Sequence, residues 1–576
     1  MRAGKSKTWQ WIAAIIIVLI VILASISLYF NAKWKPLLTA KIEEVVYKGS
    51  KHLYTLSVQD IHLNLISSTV TVDGILLAPD TAVFNTMRKS GTAPVHLFQV
   101  KLARLRLRHI SILTIYFQKK IEMNDIILES PSINMIYNKV SKKADTAKDQ
   151  RSLYQRISKT LQSVHIKEIK IENAGFNYVS GATGMVLKSV GHLNVQVKDF
   201  LLDAHSGDDT SRFYYTKDVS FDLEGYHSLS KDKMYMTNID SLTGSATGRY
   251  IRLKGFSMIP MYPELKFSRM LKMEKTRYHL LFNRIDFTGL DFMKLNAEGV
   301  LHAGALKIKG AEAKMFMNKE MPPGHSDQSG NFPQMVLKRL PVQTTIDTVE
   351  IKQVNIAYKE YNPGSRQNGT VQIDQLHGRV FNVTNDSLSL VKNHHAIASL
   401  NALMIKTSQL DIVIDFNLLS VNGDFTFKGN IGKMDMVKLN PLGIPLGLVR
   451  IKSGEIRKID FKVRANVKGS SGILHMYYDH LKIDLMKAEK KGRTVKKKKL
   501  LSFLANTLVV KDANPMPGKL LRTGNINLQR PSGTSFFSLL WKSVFMGMRE
   551  TAGLDIFPVK SAGGEAEGGS EKMEKR

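Results

Sequence analysis

The chain has 576 residues, 43% of them apolar and 23% charged, with 82 Lys and Arg against 50 Asp and Glu for a formal net charge of +32. That length supports several hydrophobic cores, and that balance excludes a wholly disordered or a wholly membrane-embedded protein. The lack of cysteine excludes disulfides, thiolate metal sites and cysteine nucleophiles and suits an exported protein, while the positive charge favours an anionic neighbour such as phospholipid, lipopolysaccharide or nucleic acid.

Residues 1–10 form a short basic tail. Trp11–Phe30 is an uncharged run of 20 residues, long enough as a helix to span a hydrocarbon core of about 30 Å. Trp9, Trp11, Tyr29 and Trp34 flank it at headgroup level. A cleaved signal peptide usually has an apolar region of only about 7–15 residues, so the run favours an uncleaved anchor. Arg2, Lys5 and Lys7 before it balance Lys33, Lys35 and Lys41 after it, so charge does not choose the orientation. Gly4-Lys5-Ser6 imitates the end of a phosphate-binding loop but lacks the upstream glycine and strand. Lys35 to Lys48 reads as a helix leaving the membrane.

From about residue 50 to 530 apolar and polar residues alternate, which places the apolar side chains of each strand on one face. One pattern recurs: two apolar residues at period two, a two-residue step, then two more. It occurs as Val70, Val72, Ile75, Leu77; as Leu105, Leu107, Ile110, Ile112; and as Ile126, Leu128, Pro131, Ile133. It returns as Ile169, Ile171, Ala174, Phe176; as Ile285, Phe287, Leu290, Phe292; and as Val349, Ile351, Val354, Ile356. In an uninterrupted strand the step would turn the second pair to the opposite face, so a bulge or bend is expected there. At Asp73-Gly74 a tight hairpin turn is the competing expectation.

Helical signals are few: a stripe of Leu153, Ile157 and Leu161, and a strongly apolar stretch, Ser535 to Arg549. Long β runs with so few helices exclude a doubly wound α/β enzyme and leave an antiparallel sheet, sandwich, barrel or extended groove. Linkers are expected at Lys139 to Gln150, at Lys319 to Asn331 and at Ala488 to Lys499, and a disordered tail from Ser561 onward. The C-terminal helix is apolar around most of its circumference, which fits either a cap on the β body or a helix docking into a membrane or partner; Phe537, Leu540, Trp541, Val544 and Met548 carry that expectation.

No catalytic constellation emerges, and neither an enzyme nor a cofactor or metal is expected. His394-His395 has no third ligand near it in sequence, and the Lys and Arg are spread along the chain rather than gathered with aromatics on one module, against nucleic-acid binding. Lys496 to Lys499 is a solvated loop or a contact with an anionic bilayer. Asp-Ser/Thr-apolar triplets at Asp80, Asp145, Asp240, Asp347 and Asp386 resemble an O-glycosylation signal of some exported bacterial proteins.

The anchor, the stepped strand motif, the block from Leu56 to Asp80, the stretch Gly454-Glu455-Ile456-Arg457-Lys458-Ile459-Asp460-Phe461, Gly472-Ile473-Leu474 and Tyr478-Asp479-His480-Leu481-Lys482-Ile483 resemble the AsmA-like family of Gram-negative envelope proteins. The resemblance covers most of the chain. It implies an inner-membrane protein with a cytoplasmic N-terminus, residues 1–10, an anchor at 11–30 and a periplasmic body. That body is an elongated, curved antiparallel β-groove, N-terminal over 31–330 and C-terminal over 331–534, with the apolar helix at 535–553 and the tail at 561–576.

The implied activity is movement of phospholipid between inner and outer membranes without chemistry, in support of envelope integrity, with an outer-membrane or envelope partner completing the path. Expected groove-lining residues are Ile61, Leu63, Val70, Val72, Ile75, Leu77, Ile126, Leu128, Ile169, Ile171, Phe176, Val349, Ile351 and Ile356. The alternative is a scaffold for outer-membrane protein assembly that uses the same apolar surface.

Overall fold

The computed structural model describes residues 35–554 apart from 37–38, 65–66, 112–113, 115–116, 140–153, 156–157, 159–160, 323–327, 489–494, 498–509 and 532. The expected anchor at 11–30, the basic tail, the C-terminal tail, Leu153, Ile157 and Asp145 all lie outside the described residues. Among the described residues no helix is long and apolar enough to cross a membrane. Residues 39–49 are helical, as the sequence suggested.

Strand makes up 57% and helix 18% of the described residues, as alternation over most of the body requires. The chain divides into two compact units, unit 1 comprising Met1–Leu229 and Asn238–Ile251 and unit 2 comprising Ser230–Thr237 and Arg252–Arg576.

Unit 1 contains β1 (Tyr54–Asn64), β2 (Thr69–Pro79), α1 (Thr81–Lys89), β3 (His96–Arg108), β4 (Lys120–Glu129), β5 (Ser132–Tyr137), β6 (Ser163–Ser180), β7 (Val186–Leu202) and β8 (Asp218–Leu229). Its strands pair in the order β1, β2, β3, then β4 and β5 end to end, then β6, β7 and β8. The strands β9 (Tyr235–Ser245) and β10 (Tyr250–Pro260) carry the division between units.

Unit 2 continues with α2 (Glu264–Leu271), β11 (Arg277–Thr288), α3 (Phe292–Glu298), β12 (Val300–Asn318), α4 (Pro333–Lys338), β13 (Gln343–Asn362), β14 (Gln367–Thr384) and α5 (Ser387–Lys392). There follow β15 (His395–Met404), β16 (Ser408–Asn417), β17 (Phe425–Ile431), β18 (Met434–Asp435), α6 (Asn440–Gly447), β19 (Val449–Ala465), β20 (Gly469–Ala488), β21 (Val495–Lys497), β22 (Thr523–Gln529) and α7 (Phe536–Thr551). The main ladder runs from β11 through β17 to β19, β20 and β22, with β18 on β19 and β21 on β20.

The expectation of a purely antiparallel sheet is corrected at three pairings: β4–β6, β5–β6 and β12–β13 are parallel. Parallel neighbours need a crossover of a dozen or more residues. The stretches anticipated as linkers, 139–150 and 319–331, lie within those crossovers. The expected boundary at residue 330 therefore falls inside unit 2, between β12 and β13.

The two-residue step is a backbone device. Its second residue is left-handed in Gly74 (φ 61), Ser130 (φ 50), Asn173 (φ 55) and Gln353 (φ 57), and the same step stands in β12 at Gly310 (φ 66), between Ile308 and Ala311, and in β14 at Gln375 (φ 55), between Ile373 and Leu376. Register slips between Ile171 and Ala174 and between Ile351 and Val354 mark bulges. In β6 and β13 the step residues are exposed while the next apolar residue, Ala174 or Val354, is buried again. Both apolar pairs thus stay on one side. A neighbouring amide covers each of two bulges: Asn194 Oδ1 accepts from the Asn173 N–H at 2.7 Å and Asn355 Oδ1 from the Gln375 N–H at 2.9 Å.

At Asp73-Gly74 the hairpin expectation is overturned. The β1–β2 ladder runs through the step, from Val58 opposite Ile75 to Asp60 opposite Asp73, and a Cβ on Gly74 would meet the Gln59 side chain at 2.2 Å. The motif at Ile285, Phe287, Leu290 and Phe292 is cut short for a different reason: β11 ends at Thr288, Gly289 turns left-handed, and Phe292 opens α3. Two of the Asp triplets are helix caps. Asp80 accepts from the Ala82 and Val83 N–H groups at 2.8 and 3.1 Å, and Asp386 from Ser389 N at 2.9 Å, which satisfies otherwise orphaned donors.

Candidate functional site

Pairing aligns the apolar residues of unit 1 into rows that cross seven strands. One row is Leu63, Val70, Leu107, Ile126, Ile169, Val197, Val219. The next is Ile61, Val72, Leu105, Leu128, Ile171, Val195, Phe221. Beyond the step lies a third: Leu56, Leu77, Val100, Ile133, Phe176, Val190, Tyr226. At about 4.8 Å per strand each row is roughly 29 Å long. All eleven groove residues expected in unit 1 stand in these rows, save Ile75, which pairs with Val58 and Leu102 between the second and third.

Only Ile61 of this set is fully buried; the others are half-buried. Among the described residues, α1 packs on one end of this sheet, its Phe84 buried with Leu97 and flanked by Tyr54 and Ile136, none of which stands in the three rows; elsewhere each strand of the set touches chiefly its ladder neighbours. An apolar band of that extent, without a covering layer among the described residues, marks an interaction surface.

Unit 2 treats the same kind of rows differently. The row Leu306, Val349, Val380, Ala398, Ile414, Phe427, Val463 contains Val463 at 0%, Phe427 at 1% and Ile414 at 4% exposure. The helix α7 covers this side. Its small face lies on β20 and β22, where Ser543 and Ser470 hydroxyls are 2.7 Å apart and a Cβ on Gly524 would sit 2.2 Å from the Gly547 carbonyl oxygen. Ser535 caps its N-terminus, accepting from Ser538 N at 3.3 Å.

Between α7 and the sheet remains an apolar cavity of about 300 Å³, at the small end of ligand pockets. Ile356, Val371, Ile373 and Leu376 floor it, and the positions on both sides of the Gln375 step share it. Phe537, Leu540, Trp541, Val544 and Met548 roof it. For these five the sequence left open a cap on the β body or a helix docking into a membrane or partner; here they lie against the protein's own sheet, the apolar circumference of α7 being consumed by the cavity and by Phe332, Phe425 and Val371. Val349 and Ile351 lie farther along β13, outside this lining.

A buried polar cluster borders the aromatic end. Lys542 Nζ on α7 is 3.1 Å from Glu360 Oε2 on β13, and the Tyr358 hydroxyl donates to the same oxygen at 2.8 Å. The Tyr358 ring lies tilted against those of Phe537 and Trp541, with centroids 6.1 and 5.9 Å away. Burial opposes ionisation of Glu360, yet the Lys542 and Lys319 ammoniums and the Tyr358 hydroxyl outweigh it and hold the carboxyl below its ordinary value. Burial and the Glu360 charge push the Tyr358 hydroxyl well up. Lys319 is itself paired to Glu274 at 2.7 Å.

The chain matches no protein-family model and no curated protein.

The chemistry available here is that of an apolar receptacle. Among the described residues no group of three or more His, Asp or Glu is placed to hold a metal. A larger cleft of about 590 Å³ includes Asp415, Thr426, Arg464, Ser471 and Asn527, one polar cross-strand row, with His395 Nδ1 2.7 Å from Asp415. That row alternates with the buried one, as strand geometry dictates.

Trp541 gives the cavity a reporter. The other tryptophans are Trp9, Trp11 and Trp34, so replacing those three by Phe leaves one emitter. Its indole N–H is buried without an acceptor among the described residues, a deficit worth about 1–3 kcal/mol that an ester carbonyl would relieve. Phosphatidylcholine brominated on its acyl chains should quench this emission in the full chain, and the Trp541→Phe background should show no such signal. Unchanged emission would make the cavity a sealed void.

Proposed function

We propose that this protein is held in the inner membrane by its apolar N-terminal segment and conducts the acyl chains of phospholipid along the apolar rows of its β body, toward the outer membrane. The three rows of unit 1, half-buried and without a covering layer among the described residues, carry this reading. Each methylene removed from water contributes about 0.8 kcal/mol, so a chain laid across several strands is held without any specific residue. Headgroups stay in water, where the chain's overall surplus of Lys and Arg attracts their phosphates. The AsmA-like resemblance of the sequence supports the same reading, as does the apolar cavity under α7.

Photo-crosslinking residues at Ile61, Leu63, Val70 and Ile171, in the full chain in its native membrane, test it. Phospholipid adducts at all four positions are expected. Adducts only to polypeptide would replace this reading with that of an assembly scaffold.

A further inference from the structure

Unit 2 carries a second apolar surface, separate from the cavity and not absorbed by the function above. Large side chains project from three short segments: Leu388 at 76% and Val391 at 85% exposure on α5, Val421 at 86% and Leu419 at 53% in the β16–β17 turn, and Val336 at 43% on α4. Isolated exposed apolar residues are ordinary, but five gathered at the ends of adjoining elements are not.

Hydrogen bonds hold the three segments side by side. Gln334 Nε2 donates to Gly423 O at 2.8 Å and Lys338 Nζ to Ser420 O at 2.5 Å, joining α4 to the turn. Asn385 Nδ2 donates to Leu337 O at 3.0 Å, and Leu418 N to His394 O at 2.8 Å, joining the α5 segment to both. The three segments that carry the apolar tips are therefore fixed beside one another.

The charge on the three segments themselves has one sign. Residues 333–342, 387–394 and 418–423 contain Lys338, Arg339 and Lys392 and no acid. The flanking acids are occupied: Asp386 is 5% exposed and accepts from Ser389 N and Oγ, while Asp424 accepts from Ser420 Oγ at 2.5 Å and Asn466 Nδ2 at 2.9 Å. Protruding aliphatic tips ringed by unopposed cations match a surface that is apolar beneath and anionic above.

We infer that this patch is a docking surface for a bilayer with anionic headgroups, into which Leu388, Val391 and Val421 insert while Lys338, Arg339 and Lys392 meet the phosphates. Shallow insertion of this kind sets the rim of unit 2 against a membrane. It is independent of the rows of unit 1.

The chain has no cysteine, so Val421→Cys provides a single position for an environment-sensitive fluorophore. The labelled full chain, held in phosphatidylcholine nanodiscs, is mixed with vesicles of phosphatidylglycerol and phosphatidylcholine. A blue-shifted, brighter emission is expected. Leu388→Asn and Val391→Asn should each weaken vesicle capture about tenfold, the consequence of losing one buried aliphatic side chain. Raising salt should weaken it further as headgroup attraction is screened.

No shift with anionic vesicles overturns the inference, as does an equal response to pure phosphatidylcholine vesicles. A shift that grows with protein concentration without vesicles also overturns it and assigns the patch to a second copy of the chain. Because these variants are exposed and distant in sequence from the unit 1 rows, crosslinking at Ile61 and Ile171 continues whichever way the patch is decided.

Discussion

Replacing Ile171 by aspartate should lower phospholipid adducts at crosslinkers on Leu128 and Val195 by about 100-fold, because a carboxylate stripped of water costs several kcal/mol and each 1.4 kcal/mol is a factor of ten. Ile171 sits in the middle of its row, directly between Leu128 and Val195. It is half-buried, so the folded protein keeps the new charge hydrated as long as no acyl chain lies against it. The conflict arises only when lipid arrives. Lys167→Asp, on an exposed position of the same strand, is the control that should leave adducts unchanged. Quantitative mass spectrometry of the crosslinked full chain reads both, and undiminished adducts in Ile171→Asp would mean that lipid does not pass along this row.

Lys542→Ala should destabilise unit 2 by about 3–5 kcal/mol, since it leaves the Glu360 carboxylate buried without its nearest cation. Glu360 is only 8% exposed and Lys542 holds it from α7, across the roof of the cavity. At a few degrees per kcal/mol the melting midpoint should fall by roughly 10 °C. The double variant Glu360→Gln with Lys542→Met should recover most of the loss, because replacing both members of a buried pair removes the uncompensated charge. A Lys542→Ala protein that melts with the parent would show that the pair does not pin α7.

The pH dependence follows from the same group. Burial raises and the two lysines and the tyrosine lower the Glu360 pKa, and the net direction is downward from 4.5. A carboxyl whose folded pKa lies below its unfolded value contributes fully above the unfolded value and loses that contribution as pH falls through the folded one. Stability of unit 2 should thus be level from neutral pH down to about 4.5 and decline below it, and Glu360→Gln should flatten that decline.

Several features were legible in the residues alone. Alternation announced the β body, and the two-residue step in Ile169, Ile171, Ala174, Phe176 announced a bulge, since an uninterrupted strand would have split its apolar residues between two faces. Ser535 followed by an apolar run marked α7 to within a residue of its start. The stretches at 139–150 and 319–331 were visible as interruptions, but their meaning was not. Both lie in crossovers that make the flanking strands parallel, and pairing direction depends on which strands meet across tens of residues.

What covers an apolar face is likewise a matter of distant partners. Alternation and the step are local, so each strand's own residues determine which of its sides is apolar and where it bends. Whether that side is sealed depends on what packs against it. Phe427 is buried where it shares a cavity with the side chains of α7, while Ile171, on an equally alternating strand, stays half-exposed in unit 1. The inward turn of Phe537 and Trp541 was decided in the same way: a helix apolar on most sides has no preferred direction until Gly547 meets Gly524 and Lys542 meets Glu360. Those contacts join residues far apart along the chain, and only the folded chain brings them together.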